Sequence, residues 1–357
     1  MLNRDRFVVY GGTGNHSLDA DVLRLVNNVT NLGLEFSHSW HNTWPDGEPG
    51  FRLEIPEAIA GRHAIIFSCP ITPKLVGELK DLVTACKHQY GAKSVIVVLS
   101  FLCFRRQDRE EVTHEITRLR WFMRDLRHWG VDTLVVIEPH SVQHTNRYAK
   151  EFGLRLYVSD PTRLFAHAIR DVVQTLGGAT KVRIYSPDFG SVGRSLTLAR
   201  FLSQDQEVLA TPKRRINTRI EIVSSADFLE LVRSQFGADV PVSCDVSDLR
   251  GLHLFMREDE IDSGTTAVST ARFLCRESGA ASVSFIATHP VCSRGWKMRL
   301  FPFGEEPPFR AIWLGNTRPR GDGETEYEGS TGNRINHVDM APAIAETLVE
   351  VLNNLED

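Results

Sequence analysis

The sequence predicts an α/β protein built from two tandem, doubly wound and mostly parallel sheets. Nearly continuous apolar runs of strand length, such as "HAIIFSC" and "SVIVVLSF", are typical of strands that are buried on both faces. Segments with helical periodicity separate these runs along the whole chain. The length of 357 residues favours about two domains over one.

The predicted strands fall into two blocks. The first block contains "RFVVYGG", "HAIIFSC", "SVIVVLSF", "TLVVIEP" and "LRLYVS", and the second contains "KVRIYSPD", "LHLFMRED", "ASVSFIATH" and "RAIWLGN". The helical patterns between the first strands are "DADVLRLVNNVTNLG", "PKLVGELKDLVTACKHQYG" and "EITRLRWFMRDLRHWG". Each of these three patterns closes on a glycine, which favours a helix C-terminus at that point. Strands that alternate with helices in this way indicate parallel sheets covered by helices.

The two blocks meet near "YVSDPTRLFAHAIRDVVQTLGGATK". We therefore expect an N-terminal domain over 1–155 and a C-terminal domain over 156–335, and the last helical pattern, within 336–357, can pack back on the first domain. The polar, glycine-rich insert at 318–333, "RPRGDGETEYEGSTGN", has the composition of a mobile loop.

Composition and charge exclude several classes of protein. The formal net charge of −4 gives no electrostatic basis for binding nucleic acid or an anionic membrane. No signal-peptide pattern opens the chain, and no run of about 18 apolar residues suggests a membrane span. The six cysteines form no Cys-x-x-Cys pair and mostly lie in apolar runs, so we expect buried, reduced thiols in a cytoplasmic protein.

The stretch "FMREDEIDSGTTAVSTARFL" (255–274) is the most informative motif. A strand end carries the acids Glu258 and Asp259, and a Ser-Gly-Thr-Thr turn then leads into a helix. The unpaired N–H groups and the positive end of such a helix suit a phosphate. Carboxylates suit sugar hydroxyls or a divalent metal on the same ligand. The alternative interpretation is an ordinary helix cap followed by a tight turn.

Five other motifs contain candidate ligand-binding groups. In "WPDGE" (44–48) an aromatic ring next to two carboxylates could hold an adenine base, although Pro-Asp-Gly is also a common surface turn. The arginines of "RRQDR" (105–109) suit phosphate oxygens but also fit a charged helix start. His140 and Asp188 follow strands of different blocks, where they could converge on a metal–nucleotide complex. The triple basic run at 213–215 could contact phosphates, but such a run is usually a solvated loop.

Taken together, the motifs resemble the ribose-phosphate diphosphokinases, also called phosphoribosyl pyrophosphate synthetases. Seven motifs occur in the family's order: "WPDGE", "RRQDR", "EPHSVQ", "SPDFGSVGR", "KRR", "REDEIDSGTT" and "THPVCS". The sixth is similar to the family pattern Val-Asp-Asp-x-Ile-Asp-Thr-x-Gly-Thr. The resemblance implies sheets of the phosphoribosyltransferase type, Mg²⁺ as cofactor, and transfer of the β,γ-diphosphoryl group of ATP to the anomeric hydroxyl of ribose 5-phosphate.

The resemblance also implies a role for each matching residue. On the ATP side it assigns adenine and phosphate binding to Trp44, Asp46, Glu48, Arg106, Gln107 and His140, and metal binding to His140 and Asp188. It assigns Lys213 and Arg215 to a mobile loop that closes over the transferring phosphoryl groups. On the sugar side it assigns the ribose to Glu258, Asp259 and Asp262, and the 5-phosphate to Ser263, Gly264, Thr265 and Thr266. Family members are homo-oligomers in which dimers build hexamers.

Several departures from the family pattern leave other functions open. Trp44 replaces a Phe, Glu258 replaces the first Asp of the acid pair, and Thr265 replaces a Gly. The altered loop is compatible with a larger 5-phosphoryl ribose, such as ADP-ribose, as acceptor. A non-catalytic regulatory homologue would be expected to lose the loop cations, whereas Lys213 and Arg215 are present. A phosphoribosyltransferase would have no need of "WPDGE" or "RRQDR". The segment "EEVTHEITRLRWFMRD" does not resemble the family's regulatory segment.

Overall fold

The chain folds into two α/β units, each built around its own parallel sheet. The first unit consists of Met1–Asp160, Thr317–Pro319 and Met340–Asp357, and the second of Pro161–Asn316 and Arg320–Asp339. The structure is a computed structural model that describes residues 3–54, 56–110, 113–202, 207–216, 219–302, 306–319 and 335–355. The insert at 318–333 therefore lies largely outside the described residues.

The first unit contains a six-stranded sheet in the order β2-β1-β5-β6-β7-β8 and an antiparallel hairpin, β3-β4. Its strands are β1 (Phe7–Gly11), β2 (Phe36–Ser37), β3 (Ser39–Thr43), β4 (Pro49–Leu53), β5 (His63–Ser68), β6 (Ser94–Leu99), β7 (Thr133–Ile137) and β8 (Arg155–Ser159). Its helices are α1 (His16–Thr30), α2 (Pro73–Thr84), α3 (Arg118–Trp129), α4 (Val142–Phe152) and the last helix of the chain, α10 (Ala341–Asn353). Helix α10 packs against α1, β7 and β8.

The second unit contains a seven-stranded sheet in the order β13-β10-β9-β14-β15-β16-β17 and a second hairpin, β11-β12. Its strands are β9 (Val182–Ser186), β10 (Val208–Ala210), β11 (Lys213–Ile216), β12 (Arg219–Ile222), β13 (Val242–Ser243), β14 (His253–Ile261), β15 (Ser282–Pro290), β16 (Ile312–Gly315) and β17 (Ile335–Val338). Its helices are α5 (Thr162–Thr175), α6 (Val192–Leu202), α7 (Ser225–Phe236), α8 (Thr265–Arg276) and α9 (Trp296–Leu300).

All strand pairs within the two large sheets are parallel. In each sheet the order of the strands reverses once, between β1 and β5 in the first unit and between β9 and β14 in the second. The central strands β5, β6 and β7 are buried at every position, as strands covered on both faces must be. The predicted fold class, two tandem doubly wound and mostly parallel sheets, is therefore confirmed.

Local signals define most of the helix ends. The Thr72 hydroxyl accepts a hydrogen bond from the N–H of Leu75 at 3.3 Å and starts α2, and a proline occupies the first turn. Helix α3 ends at Gly130, whose backbone is left-handed, as the sequence predicts. Helix α1 ends earlier than predicted, because Asn31 rather than Gly33 takes the left-handed position after Thr30. Asparagine is the residue that most readily replaces glycine at such a cap.

None of the six cysteines, all of which the structure describes, forms a disulfide bond. Cys69, Cys86 and Cys103 are buried, whereas the other three are only half-buried, so the prediction of buried thiols is right for half of them. Burial raises the pKa of the Cys69 thiol to about 12, which keeps it protonated and unreactive at neutral pH. Among the residues that the structure describes, no helix is both long enough and apolar enough to cross a membrane.

Asp19, in the first turn of α1, is a carboxyl group that is only 3% exposed. Its Oδ2 atom has no hydrogen-bond partner, and burial raises its pKa from 3.8 to about 8. The folded state therefore prefers the protonated acid. The stability that this group contributes is greatest below pH 3.8, falls as the pH rises towards 8, and is lowest above that value.

We expect Asp19→Asn to melt above the parent at pH 7.5, by roughly 5 °C, because the parent carboxylate must take up a proton when it is buried on folding, whereas the amide is neutral in both states. The difference in melting temperature should shrink as the pH is lowered to 5.5. Asp21→Asn is the matched control, since Asp21 lies on the same helix but pairs with Arg24 at the surface, at 3.0 Å. A melting difference for Asp19→Asn that does not depend on pH would contradict the assigned pKa.

Candidate functional site

The reversal of strand order between β9 and β14 positions the candidate site of the second unit. In open α/β sheets, ligands bind outside the carboxyl ends of the strands at such a switch point. Asp188 lies in the loop that follows β9, and Glu258 and Asp259 lie near the end of β14. Because adjacent parallel strands end at the same edge of a sheet, the structure brings these three predicted residues together.

A hydrogen-bonded chain links the loop after β9 to the acid pair. Oδ1 of Asp188 accepts the N–H of Ser191 at 3.0 Å, and the Ser191 hydroxyl donates to Oε2 of Glu258 at 2.7 Å. Arg194, on the first turn of α6, lies 3.8 Å from Oδ1 of Asp259. Ser191 and Arg194 were not singled out from the sequence, although both belong to the quoted motif "SPDFGSVGR".

The three carboxylates repel one another. Burial raises the pKa of Glu258 well above its usual range, and the negative charges of Asp188 and Asp259 raise it further. The hydrogen bond from Ser191 and the charge of Arg194 act in the opposite direction without cancelling the shift. A cluster of this kind is stabilised by a cation or by hydroxyl donors, and both are what the sequence analysis predicts for this position.

The Ser-Gly-Thr-Thr turn lies directly after the acids. Helix α8 begins at Thr265, and Gly264 precedes it with a φ of 76°, in the left-handed region that favours glycine. The side chains of Thr265 and Thr266 are exposed, and the first turn of the helix carries no acidic residue that would repel an anion. The hydroxyls of Ser263 and Thr265 lie 3.1 Å apart. A phosphate at this turn stays a prediction.

The basic run at 213–215 forms part of the antiparallel hairpin β11-β12, in which Lys213 pairs with Ile222. Strand β11 contacts the turn Phe189–Ser191, the same turn that Asp188 caps. Lys213 is half-buried, and its own N–H donates to the carbonyl of Thr211 at 2.7 Å. The side chain of Arg215 lies outside the described residues.

In the first unit, Trp44, Asp46 and Glu48 form the tip of the hairpin β3-β4. The N–H of Trp44 donates to the carbonyl of Glu48 at 2.8 Å, and the N–H of Glu48 donates to Oδ1 of Asp46 at 3.1 Å. The Trp44 side chain is 50% exposed and packs edge-on against Trp40, with ring centroids 6.2 Å apart. The segment is thus a surface turn that also presents an aromatic face and carboxylates to solvent.

The motifs that contain Arg106, Gln107 and His140 follow the neighbouring strands β6 and β7, and so lie at one edge of the first sheet. Arg106 is exposed, and the Gln107 side chain donates to Oε1 of Glu115 at 3.2 Å. His140 is half-buried at the start of the loop that leads into α4. The two motifs therefore leave the same edge of the first sheet, and the ligands of these residues stay a prediction.

Asp108, within the "RRQDR" motif, was not identified as a site residue. Its Oδ2 lies 2.9 Å from Nδ1 of His144, and its carbonyl accepts the hydroxyl of Tyr148 at 2.7 Å. Burial alone would raise the pKa of Asp108, but the hydrogen bond from His144 and the nearby charges of His144, His140 and Arg109 outweigh burial and lower it. An ionised, anchored Asp108 therefore fixes the "RRQDR" loop to α4.

Both of these loops begin with a strained backbone. Phe104, just before "RRQDR", has a φ of 59°, and Glu138, two residues before His140, has a φ of 33°. Residues other than glycine rarely adopt these values, and such strain concentrates at ligand-binding sites. The sequence carries no signal for it, because neither residue is of a type that favours positive φ.

Mg²⁺ usually binds through one or two protein carboxylates and completes its coordination with phosphate oxygens and water. Among the described residues, no group of three His, Cys, Asp or Glu side chains forms a metal-ligand set. The carboxylates of Asp188, Glu258 and Asp259 are hard oxygen donors of the kind that Mg²⁺ prefers, so the residues present fit a substrate-bound Mg²⁺ better than a metal held by protein alone.

The fold and these loops define a tandem pair of phosphoribosyltransferase-like α/β units with polar sites at the carboxyl edges of both sheets. The solved phosphoribosylpyrophosphate synthetase of Mycobacterium smegmatis superposes with a TM-score of 0.76, covering 98% of this chain and 100% of that chain at 21% identity. At that identity the likeness establishes the fold. No protein-family model matches the chain.

Curated relatives point to the same family. The ribose-phosphate pyrophosphokinase of Saccharolobus solfataricus is 23% identical over 299 residues, which cover 83% of this chain and 89% of that protein. The protein of the same name from Sulfurisphaera tokodaii is 22% identical over 343 residues, which cover 96% of this chain and 100% of that protein. The chain is therefore similar over most of its length to ribose-phosphate pyrophosphokinases, which is another name for the ribose-phosphate diphosphokinases that its motifs resemble.

We expect Gly264→Ala to destabilise the second unit by about 2 kcal/mol, since a left-handed φ costs an alanine about 1–2 kcal/mol. The new Cβ would also lie only 3.1 Å from Cδ2 of Leu300. Gly251→Ala is the matched control, because its φ of 74° is similar and its nearest neighbour is the flexible end of Lys181, at 3.5 Å. Thermal melting should show a larger loss for Gly264→Ala, and equal losses would mean that Leu300 moves freely.

Proposed function

We propose that the protein is a ribose-phosphate diphosphokinase that converts ATP and ribose 5-phosphate into phosphoribosyl pyrophosphate and AMP. The observation that carries this proposal is the continuity of the acid pair with the phosphate cradle at the β9/β14 switch point. Such a loop offers a ribose phosphate its two complementary partners, carboxylates for the hydroxyls and a helix N-terminus for the phosphate. The other motifs, which occur in the order of the family, support the proposal that ATP is the second substrate.

In the proposed reaction the anomeric oxygen of the sugar attacks the β-phosphorus of ATP. A bond forms between that oxygen and phosphorus, the bond from the β-phosphorus to the α,β-bridging oxygen breaks, AMP leaves, and the hydroxyl proton passes to solvent. Mg²⁺, when bound with ATP, would neutralise phosphate charge and orient the triphosphate group. By the resemblance, His140 and Asp188 are its proposed protein ligands. The protein supplies position and charge rather than a covalent intermediate.

The roles of the sugar-side residues are proposed from the resemblance and supported by their place between β14 and α8. Glu258, Asp259 and Asp262 would accept hydrogen bonds from the ribose hydroxyls and fix which face of the sugar reacts. Ser263, Gly264, Thr265 and Thr266 would surround the 5-phosphate, whose dianion suits the start of α8. These side chains belong to one continuous segment, so the distance between sugar and phosphate sites is built into the β14–α8 connection.

The ATP-side residues are proposed from the resemblance together with their placement. Trp44 would stack on adenine, and Asp46 and Glu48 would accept hydrogen bonds from its exocyclic amine. Arg106 and Gln107 would contact phosphate oxygens. By the same resemblance, we propose that the protein assembles as a homo-oligomer built from dimers.

The second candidate is the same chemistry on a larger acceptor such as ADP-ribose. The exposed Thr265 side chain at the start of α8 is the observation that bears on it, since the family pattern has glycine there. A side chain adds bulk beside the phosphate, whereas a diphosphoryl group would need one side of the loop open. This favours ribose 5-phosphate over ADP-ribose.

The direct test is a product assay by mass spectrometry with ATP, Mg²⁺ and one acceptor at a time. With ribose 5-phosphate we expect AMP and a sugar product heavier by two phosphoryl groups, in equal amounts. Free ribose should give none, and ADP-ribose should give a lower kcat/KM than ribose 5-phosphate. Steady ATP breakdown without an acceptor would indicate a hydrolase, and no turnover with any acceptor would indicate a regulatory homologue.

Lys213→Ala should lower kcat by on the order of 100-fold or more and change the KM for ATP little, because a cation that meets the reacting phosphates acts mainly in the transition state. Lys181→Ala is the control, since Lys181 is an exposed lysine directly before β9, at the end of the seven-stranded sheet opposite to the candidate site. If KM rose while kcat stayed within about threefold, Lys213 would be a ground-state phosphate anchor instead.

A further inference from the structure

Arg257 is the largest side chain in the described residues that is completely buried, with no solvent exposure at all. It lies on β14 directly before the acid pair, at a position where the family pattern has valine. A valine would fill this interior space without any electrostatic cost, whereas a guanidinium must give up its hydration. The substitution therefore needs a compensating interaction.

Three contacts of Arg257 fix the end of β14. Its Nη1 donates to the backbone carbonyl of Glu258, and its Nη2 donates to Oγ1 of Thr288, on the neighbouring strand β15, at 3.1 Å. The guanidinium also lies 4.8 Å from the ring centroid of Phe165, on α5. One rigid fork thus connects the acid-bearing peptide to an adjacent strand and to the helix packed beneath the sheet.

The geometry of a strand relates Arg257 to the acids in a second way. Side chains two residues apart point to the same face, so Arg257 and Asp259 lie on one side of the sheet. Arg194 reaches Asp259 from α6 at 3.8 Å on the same side. Both guanidiniums therefore lie close to the acid pair, one anchoring its backbone and one its side chain.

We propose that Arg257 is a positioning residue that holds the Glu258–Asp259 peptide in the orientation required to bind the ribose hydroxyls. This rests on the proposed function and deepens it, because it makes the sugar side of the site depend on a buried cation that the family pattern lacks. The residue touches no substrate. It acts through the carbonyl of Glu258 and through Thr288.

Arg257→Met tests the proposal, since methionine fills similar space without donors. We expect the KM for ribose 5-phosphate to rise by about tenfold or more, the loss typical of a charge-assisted hydrogen bond, while the KM for ATP stays within about twofold. Calorimetric binding of ribose 5-phosphate without ATP should weaken by the same factor. The melting temperature should stay equal or rise, because apolar replacements of buried charges are often tolerated.

Two further variants separate positioning from general stability. Arg257→Lys keeps the charge but not the fork, so it should recover only part of the sugar affinity. Arg183→Met is the matched control: Arg183 lies on the neighbouring strand β9 and also donates to backbone carbonyls, of Ala179 and Val182, but at the opposite end of the sheet. It should leave both KM values unchanged.

The outcomes distinguish this inference from the proposed function. If the parent forms AMP with ribose 5-phosphate but Arg257→Met changes neither KM, or changes both equally, the positioning role is wrong and the function stands. A lower melting temperature with unchanged sugar binding likewise overturns it and leaves Arg257 a packing residue. If the parent neither binds nor uses ribose 5-phosphate, the proposed function fails and this inference fails with it.

Discussion

The negative charge concentrated where β9 and β14 end is the constraint on which the second unit's site depends. Parallel strands that are neighbours in a sheet bring their carboxyl ends together, and here those ends carry Asp188, Glu258 and Asp259. Burial raises the pKa of Glu258, and the negative charges of Asp188 and Asp259 raise it further. The surrounding structure supplies the compensation, through the Ser191 hydroxyl and the Arg194 guanidinium at the start of α6.

The first unit organises its loops by a different means. Its two motif loops leave the sheet through positive-φ residues, Phe104 and Glu138, and are then held by contacts to Asp108 from α4. Backbone strain of this kind persists only where neighbouring contacts over-determine it. The loops of the first unit are thus positioned by contacts that hold their backbone. In the second unit, a hydroxyl and a guanidinium offset the negative charge of the carboxylates.

The sequence differences between this chain and its relatives leave the fold unchanged but alter residues at the candidate site. With about a fifth of the residues identical, the solved relative retains the fold at a TM-score of 0.76, because apolar strands tolerate exchange among residues of similar volume and pattern. Departures such as Arg257, Glu258 and Thr265 instead fall at the end of β14 and the start of α8. At that position a single changed group alters charge, hydrogen bonding or space near the proposed sugar.

The sequence by itself determined the features that depend on near neighbours. Continuous apolar runs identified the buried strands of the sheet centres, and Gly130 identified the end of a helix, because burial periodicity and capping act within a few residues. The two-residue edge strands β2 and β13 escaped detection, since they are too short to show a period. The order of the seven motifs identified the family resemblance.

Only the tertiary structure decided which distant groups meet. Ser191 and Glu258 are 67 residues apart and Asp108 and His144 are 36 apart, and each pair is joined because sheet order places their loops side by side. The burial of Arg257 and Asp19 was likewise invisible in the sequence, where both look like ordinary charged residues near an element end. Pairing across a sheet depends on the whole topology, and no local pattern in the chain encodes it.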